Sequence, residues 1–136
     1  MKNIGVIGLG DMGSGIALNL IKNGFKVFGS DLLPARQQAF KNMGGSLEIS
    51  VADIGKKCDA VFVMVMNGSQ AKSIIFDEDG LARNMEAGST VILSATIKPS
   101  EAEEIGHLIK DTGLQFIDTP VSVSYTHLTL PTRLLV

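Results

Sequence analysis

Short runs of branched apolar residues alternate along the chain with segments whose apolar residues recur every three or four positions. NIGVIG (3–8) stops on glycine and reads as a buried parallel strand. In MGSGIALNLIKNG (12–24), Ile16, Leu20 and Ile21 share one helical face, and Gly24 stands where a helix would end. KVFGSD (26–31) predicts a second strand, and PARQQAFKNMG (34–44), opening on proline and closing on glycine, a second helix. SLEIS (46–50) is a weak strand signal and VADIGKKC (51–58) a short helix. DAVFVMVMN (59–67) is an unbroken apolar run, expected at the centre of the sheet. SQAKSIIF (69–76) predicts a helix, STVILSAT (89–96) a buried strand, and KPSEAEEIGHLIKDTG (98–113) an amphipathic helix with Ser100 and Glu103 as its capping box. LQFID (114–118) is the sixth strand candidate.

Strands joined through helices require right-handed crossovers and a mostly parallel sheet covered on both faces. The expected fold is therefore α/β, doubly wound, of Rossmann type. Such folds bind ligands beyond the carboxyl ends of their strands. Those ends fall at 8–13, 31, 65–67, 94–97 and 118–122.

Composition narrows the function. A chain of 136 residues holds one domain with a real core and leaves no room for a second of similar size. A formal net charge of −2 supplies no general pull toward nucleic acid or an anionic membrane, so neither is expected as a partner. The apolar opening is too short and glycine-broken for a signal peptide or a membrane span. Cys58 is the single cysteine, which excludes an internal disulfide and a multi-cysteine metal site and points to a reducing, cytoplasmic setting. His107 and His127 lack metal-ligand spacing, so no metal is expected.

GLGDMG supplies Gly8, Gly10 and Gly13 in G-x-G-x-x-G spacing, after a strand and at the start of a helix. Asp31 ends the next strand. In such a turn the first glycine permits the sharp bend, the second admits a pyrophosphate, and the third allows close packing of helix on strand. The helix start then offers free N–H groups and a positive dipole end to phosphates. Asp31 would accept hydrogen bonds from an adenosine ribose and repel a 2′-phosphate, which favours NAD over NADP. Arg36 is the counter-argument, although it lies inside the next helix and not directly after the acid. Asp11 is expected to face solvent.

IGVIGLGDMGSGIALNLIKNGFKVFGSD, SATIKPSEAEEI and FIDTPVS together resemble the β-hydroxyacid dehydrogenase family over residues 1–122. The stretch from Asp59 to Ile97 is most similar to its L-threonate dehydrogenase branch. The resemblance implies an oxidoreductase that moves hydride between NAD and a small β-hydroxy or sugar acid. It implies cofactor contacts from Gly8, Leu9, Gly10, Asp11, Met12, Gly13 and Asp31, and from Val65, Met66 and Asn67 at the end of the central strand. Core packing is the competing reading for Val65 and Met66. Thr96 matches a position touching the nicotinamide ribose, where a hydroxyl would equally serve as a helix cap. Ser122 matches a substrate-carboxylate contact. Val123 and Ser124 depart from the pattern by standing where the family has two glycines.

In the family a lysine from a following all-helical domain handles the alcohol proton, and no lysine here lies in the matching motif. The family's full-length enzymes are homo-oligomers, with most subunit contacts in that helical domain. Two further readings stay open: a non-catalytic dinucleotide-binding module, and an NADP-dependent relative of 6-phosphogluconate dehydrogenase or the imine reductases.

VSVSYTHLTL alternates apolar and polar residues as a half-exposed strand would. However, VSYTHLTLPT (123–132) also matches the translation of a transposon-end sequencing adapter. Residues 1–122 are accordingly expected to form the dinucleotide-binding domain, and 123–136 a tail foreign to it.

Overall fold

Branched apolar runs that must be covered on both sides place the strands in the middle layer, and the computed structural model, which describes residues 3–48, 50–95 and 97–119, has this arrangement. In chain order the elements are β1 (Asn3–Ile7), α1 (Asp11–Lys22), β2 (Lys26–Ser30), α2 (Pro34–Asn42), β3 (Ser46–Leu47), α3 (Val51–Lys57), β4 (Ala60–Val65), α4 (Gly68–Phe76), α5 (Leu81–Asn84), β5 (Thr90–Ala95), α6 (Pro99–Lys110) and β6 (Gln115–Asp118). The six strands pair in the order β3-β2-β1-β4-β5-β6, all parallel. The chain moves outward from β1 to β3, then crosses back to β4 on the other side of β1. Doubly wound folds bind ligands at such a reversal, which here lies at the carboxyl ends of β1 and β4.

The two-residue period of a strand divides the core between the faces. Val61 and Val63 of β4 join Ile54, Ala71, Ile75, Leu81, Ile105 and Ile109 on the face covered by α3 to α6. Ala60 and Phe62 point the other way, with Ile4, Val6, Ala17, Leu20 and Phe40 under α1 and α2. The Phe40 ring fills the space above Gly29 of β2, where a β-carbon would approach it to 2.7 Å. This contact seats α2 on the sheet and gives a mid-strand glycine a packing reason.

Three expectations need correction. The helix α5 was not foreseen: it is four residues long, too short for a 3.6-residue period to register, and the Asn84 side chain donates to the Gly80 carbonyl at 2.7 Å to close its turn. Strand β3 is two residues long, not five. Ser100 and Glu103 do not form a capping box, because Pro99 occupies the first turn and moves the cap to Lys98. The Glu101 carboxylate accepts the Lys98 N–H at 3.2 Å, while the lysine ammonium has no lone pair to return the bond.

Candidate functional site

The turn after β1 is built by two glycines the chain requires and one it does not. Gly8 has φ +96°, a left-handed conformation, and a β-carbon there would collide with the Met64 carbonyl oxygen on β4. Its N–H donates to the Ser30 carbonyl at 2.9 Å, tying the turn to β2. A β-carbon on Gly13 would run into the Gly8 carbonyl oxygen, so the third glycine lets α1 lie against the strand end. Gly10 differs. Its φ of −70° suits any residue, and the nearest described atoms a β-carbon would meet are those of the Arg36 guanidinium, at ordinary contact distances of 3.7–3.8 Å. Among the described residues nothing demands a glycine there.

Gly10 precedes α1 without any side-chain cap, so the first-turn amides of the helix face outward with its positive dipole end. Ser14 donates from Oγ to the Leu9 carbonyl at 2.8 Å, and from N–H to the Gly10 carbonyl at 2.8 Å, which fixes the turn's curvature. Asp11 is exposed and Met12 half-buried. Leu9 is 1% exposed and packs in the core, so only its backbone belongs to the turn.

Asp31 closes the other side. Its Oδ2 accepts the Leu9 N–H at 2.7 Å, its Oδ1 accepts the Leu33 N–H at 2.9 Å, and Arg36 Nη1 lies 3.5 Å from Oδ2. Burial pushes its carboxyl up, but the amides of Leu33 and Leu9 and the Arg36 charge outweigh that and hold it below the ordinary value. The Gln37 amide donates to the Asp31 carbonyl at 2.6 Å and steadies the same corner. Leu32, next in the chain, is 94% exposed. Leu33 is exposed as well, so two exposed leucines follow the acid directly in the chain, a pair that the sequence reading did not single out. The signal was present as two leucines directly after the strand-ending acid, with no polar residue to alternate with them.

At the end of β4, Val65 is half-buried and packs against the core, while Met66 is exposed. Core packing is thus the reading the structure favours for Val65 and not for Met66. Asn67 caps α4, its Oδ1 accepting the Gln70 N–H at 2.9 Å, and the Gln70 side chain accepts the Met66 N–H at 3.1 Å. A β-carbon on Gly68 would strike the Glu101 carboxylate of α6, the flexible end of a side chain. The structure brings Gly8 to Gly13, Asp31 and Val65 to Asn67 to one edge of the sheet. Thr96, Ser122 and the tail 123–136 lie outside the described residues. Among the described residues no cluster of His, Cys, Asp or Glu is arranged to hold a metal, and no helix is long and apolar enough to cross a membrane.

A 3-2-1-4-5-6 parallel sheet with a glycine turn at its reversal and an acid at the end of the second strand defines an NAD(P)-binding domain. The family described as the NAD binding domain of 6-phosphogluconate dehydrogenase matches residues 3–127. The chain belongs to the β-hydroxyacid dehydrogenase family, as its NAD-binding domain. It is 43% identical over 121 residues to L-threonate dehydrogenase of Cupriavidus necator, covering 89% of this chain and 41% of that protein. It is 34% identical over 119 residues to mitochondrial 3-hydroxyisobutyrate dehydrogenase of Rattus norvegicus, covering 88% and 36%. The crystal structure of 3-hydroxyisobutyrate dehydrogenase from Salmonella typhimurium superposes with a TM-score of 0.83 at 30% identity, covering 93% of this chain and 44% of that one. The chain therefore spans about 40% of the length of the L-threonate dehydrogenases it matches.

Proposed function

We propose that this chain is the nucleotide-binding half of an NAD-dependent dehydrogenase that oxidises a β-hydroxy or sugar acid of the L-threonate or 3-hydroxyisobutyrate kind. The observation that carries the reading is Gly10. Its dihedral angles and its described surroundings both admit a side chain, and a ligand that approaches the backbone at that point accounts for the glycine. The open amides at the start of α1 suit a pyrophosphate, Asp31 suits a ribose, and the exposed Leu32 suits one face of an adenine.

In this reading Met66 and Asn67 border the nicotinamide side, Thr96 the nicotinamide ribose, and Ser122 the substrate carboxylate. The bound nicotinamide supplies the exchange of hydride with the substrate carbon. The chain's own contribution is to hold the dinucleotide at the sheet edge. The proton is handled by a lysine of the family's helical domain, and no lysine of these residues lies in the matching motif. The native domain is residues 1–122, the full enzyme works in the cytoplasm as a homo-oligomer, and NAD is preferred because Asp31 bears negative charge.

Calorimetric titration of the chain with NAD, together with assay of the full-length gene product on L-threonate and 3-hydroxyisobutyrate, tests this. Saturable NAD binding, abolished in Gly10→Val, and activity on one of the two acids are expected. A chain that folds but binds neither NAD nor NADP would overturn the proposal.

A further inference from the structure

The sheet ends at β6, which pairs with β5 on one side and with no strand of the described residues on the other. The N–H groups of Gln115 and Thr119 donate to the Ser89 and Leu93 carbonyls at 2.8 Å, toward β5. Backbone groups of successive residues in a strand point to opposite sides, so those of Phe116 and Asp118 face the open edge. Such a row of donors and acceptors is a template for another strand.

The helix over this edge is engaged on one flank and open on the other. Toward α4, Glu104 of α6 pairs with Lys72 at 2.9 Å and Glu101 lies against Gly68. Ala102, Ile105 and Ile109 are buried. The outer flank carries Glu103, Gly106, His107 and Lys110, which with Phe116 border a groove of about 310 Å³. Glu103, His107 and Lys110 are exposed, and neither Glu103 nor Lys110 makes an ion pair among the described residues. A β-carbon on Gly106 would meet the Phe116 ring at 3.5 Å, an ordinary contact, so the described atoms leave room for a side chain that would raise the middle of this flank.

The charges on the flank are ordered. Glu103 stands toward the start of α6 and Lys110 at its end, about 10 Å apart along the axis and too far to pair with each other. A two-fold axis perpendicular to the sheet turns that order into a match. It sets Glu103 of each copy against Lys110 of the other, with Gly106 and His107 at the crossing. The same axis runs two β6 strands antiparallel. Centred on Ile117, it lets Phe116 of each copy exchange N–H···O bonds with Asp118 of the other. Strands about 4.8 Å apart then hold two α6 helices, each packed over β5 and β6, about 10 Å from each other, the spacing at which helices pack. Backbone pairing, charge order and helix spacing agree on one symmetry.

We propose that the β6 edge and the outer flank of α6 are an interface for a second copy of this chain, joining the two sheets into one. The interface lies three strands from the glycine turn and does not depend on the dinucleotide reading.

Sedimentation equilibrium of the 136-residue chain over a micromolar concentration range, with circular dichroism on the same samples, tests this. Wild type should dimerise. Glu103→Lys, which opposes like charges at both symmetric positions, should weaken association at least about tenfold with an unchanged spectrum. Lys110→Glu should do the same. The variant carrying both changes reverses the order but restores the match, so it should recover association. Exchange of the Phe116 and Asp118 amides should slow as concentration rises. A monomeric wild type would overturn the proposal, and slow exchange of those two amides in that monomer would assign the edge to the chain's own residues beyond Thr119. Dimerisation that ignores both single substitutions would place the contact elsewhere and overturn it equally.

Discussion

The backbone N–H of Leu9 donates to the Asp31 carboxylate across 2.7 Å, joining the turn after β1 to the end of β2 through residues 22 apart in sequence. The same carboxylate accepts the Leu33 N–H, so one side chain holds two backbone segments in register at the crevice. Replacing Asp31 with Ala leaves both amides without their partner. The expected result is a loss of about 1–2 kcal/mol in urea-unfolding free energy at pH 7 together with weaker NAD binding.

The charge on Asp31 carries a pH signature of known sign. Its folded-state carboxyl lies below the ordinary value of 3.8, so its ionised form is favoured by folding. The stability it supplies is complete above the unfolded-state value and is lost as pH falls through the folded one. A pH series of urea titrations should show this acid-side loss in wild type and a flatter acid limb in Asp31→Asn. Identical slopes in the two proteins would rule out the ionised clamp.

Cys58 is buried behind β1, 3.3 Å from where a β-carbon on Gly5 would sit. Burial, reinforced by the charges of Asp59 and Glu48, pushes its thiol up to about 12, so almost no thiolate exists at neutral pH. A thiol reagent at pH 8 should therefore modify the native protein only as fast as it unfolds, and the unfolded protein at once. Rapid modification without unfolding would contradict the packing of this edge.

How far the sequence disclosed this molecule depended on whether a residue's neighbours lay along the chain or across it. β1 and β4 were legible because strands covered on both faces must read as continuous apolar runs, as Val61, Phe62 and Val63 do. Gly8, Gly13 and Asp31 were legible because their spacing is fixed by the strand and helix between them. α5 was hidden because one helical turn has no period, and the Ser100 cap was misplaced because Pro99 starts α6 earlier. Sequence separation put Arg36 inside a helix and away from the acid, whereas the tight corner at Leu33 and Pro34 folds it back over Gly10. No spacing rule carries that information. The exposure of Leu32 and Met66 was equally invisible, since apolar residues at strand ends normally continue into the core.

Asn67 and Met66 are adjacent and exposed but hold different roles. Asn67→Ala removes the cap on the Gln70 N–H and should cost about 1 kcal/mol, seen as a lower thermal midpoint. Met66→Ala removes no buried contact, so its midpoint should stay within error while its NAD affinity changes. The reverse pattern would place Met66 in the core and take it out of the crevice.

Gly13 is a glycine that the fold needs, whereas the dihedral angles and described surroundings of Gly10 admit a side chain. An alanine at 13 meets the Gly8 carbonyl oxygen, an atom that cannot move without breaking the turn, so Gly13→Ala should cost about 1–3 kcal/mol or prevent folding. An alanine at 10 meets, among the described atoms, the flexible end of Arg36 and has permitted dihedral angles, so Gly10→Ala should fold as the wild type does, with an equal or slightly higher midpoint. If a pyrophosphate approaches that backbone, the added methyl stands where its oxygens must pass, and NAD affinity should fall at least about tenfold despite the intact fold. Calorimetry and circular dichroism on the same samples separate the outcomes: a stable Gly10→Ala protein with full NAD affinity would mean that the glycine turn is not where the dinucleotide lies.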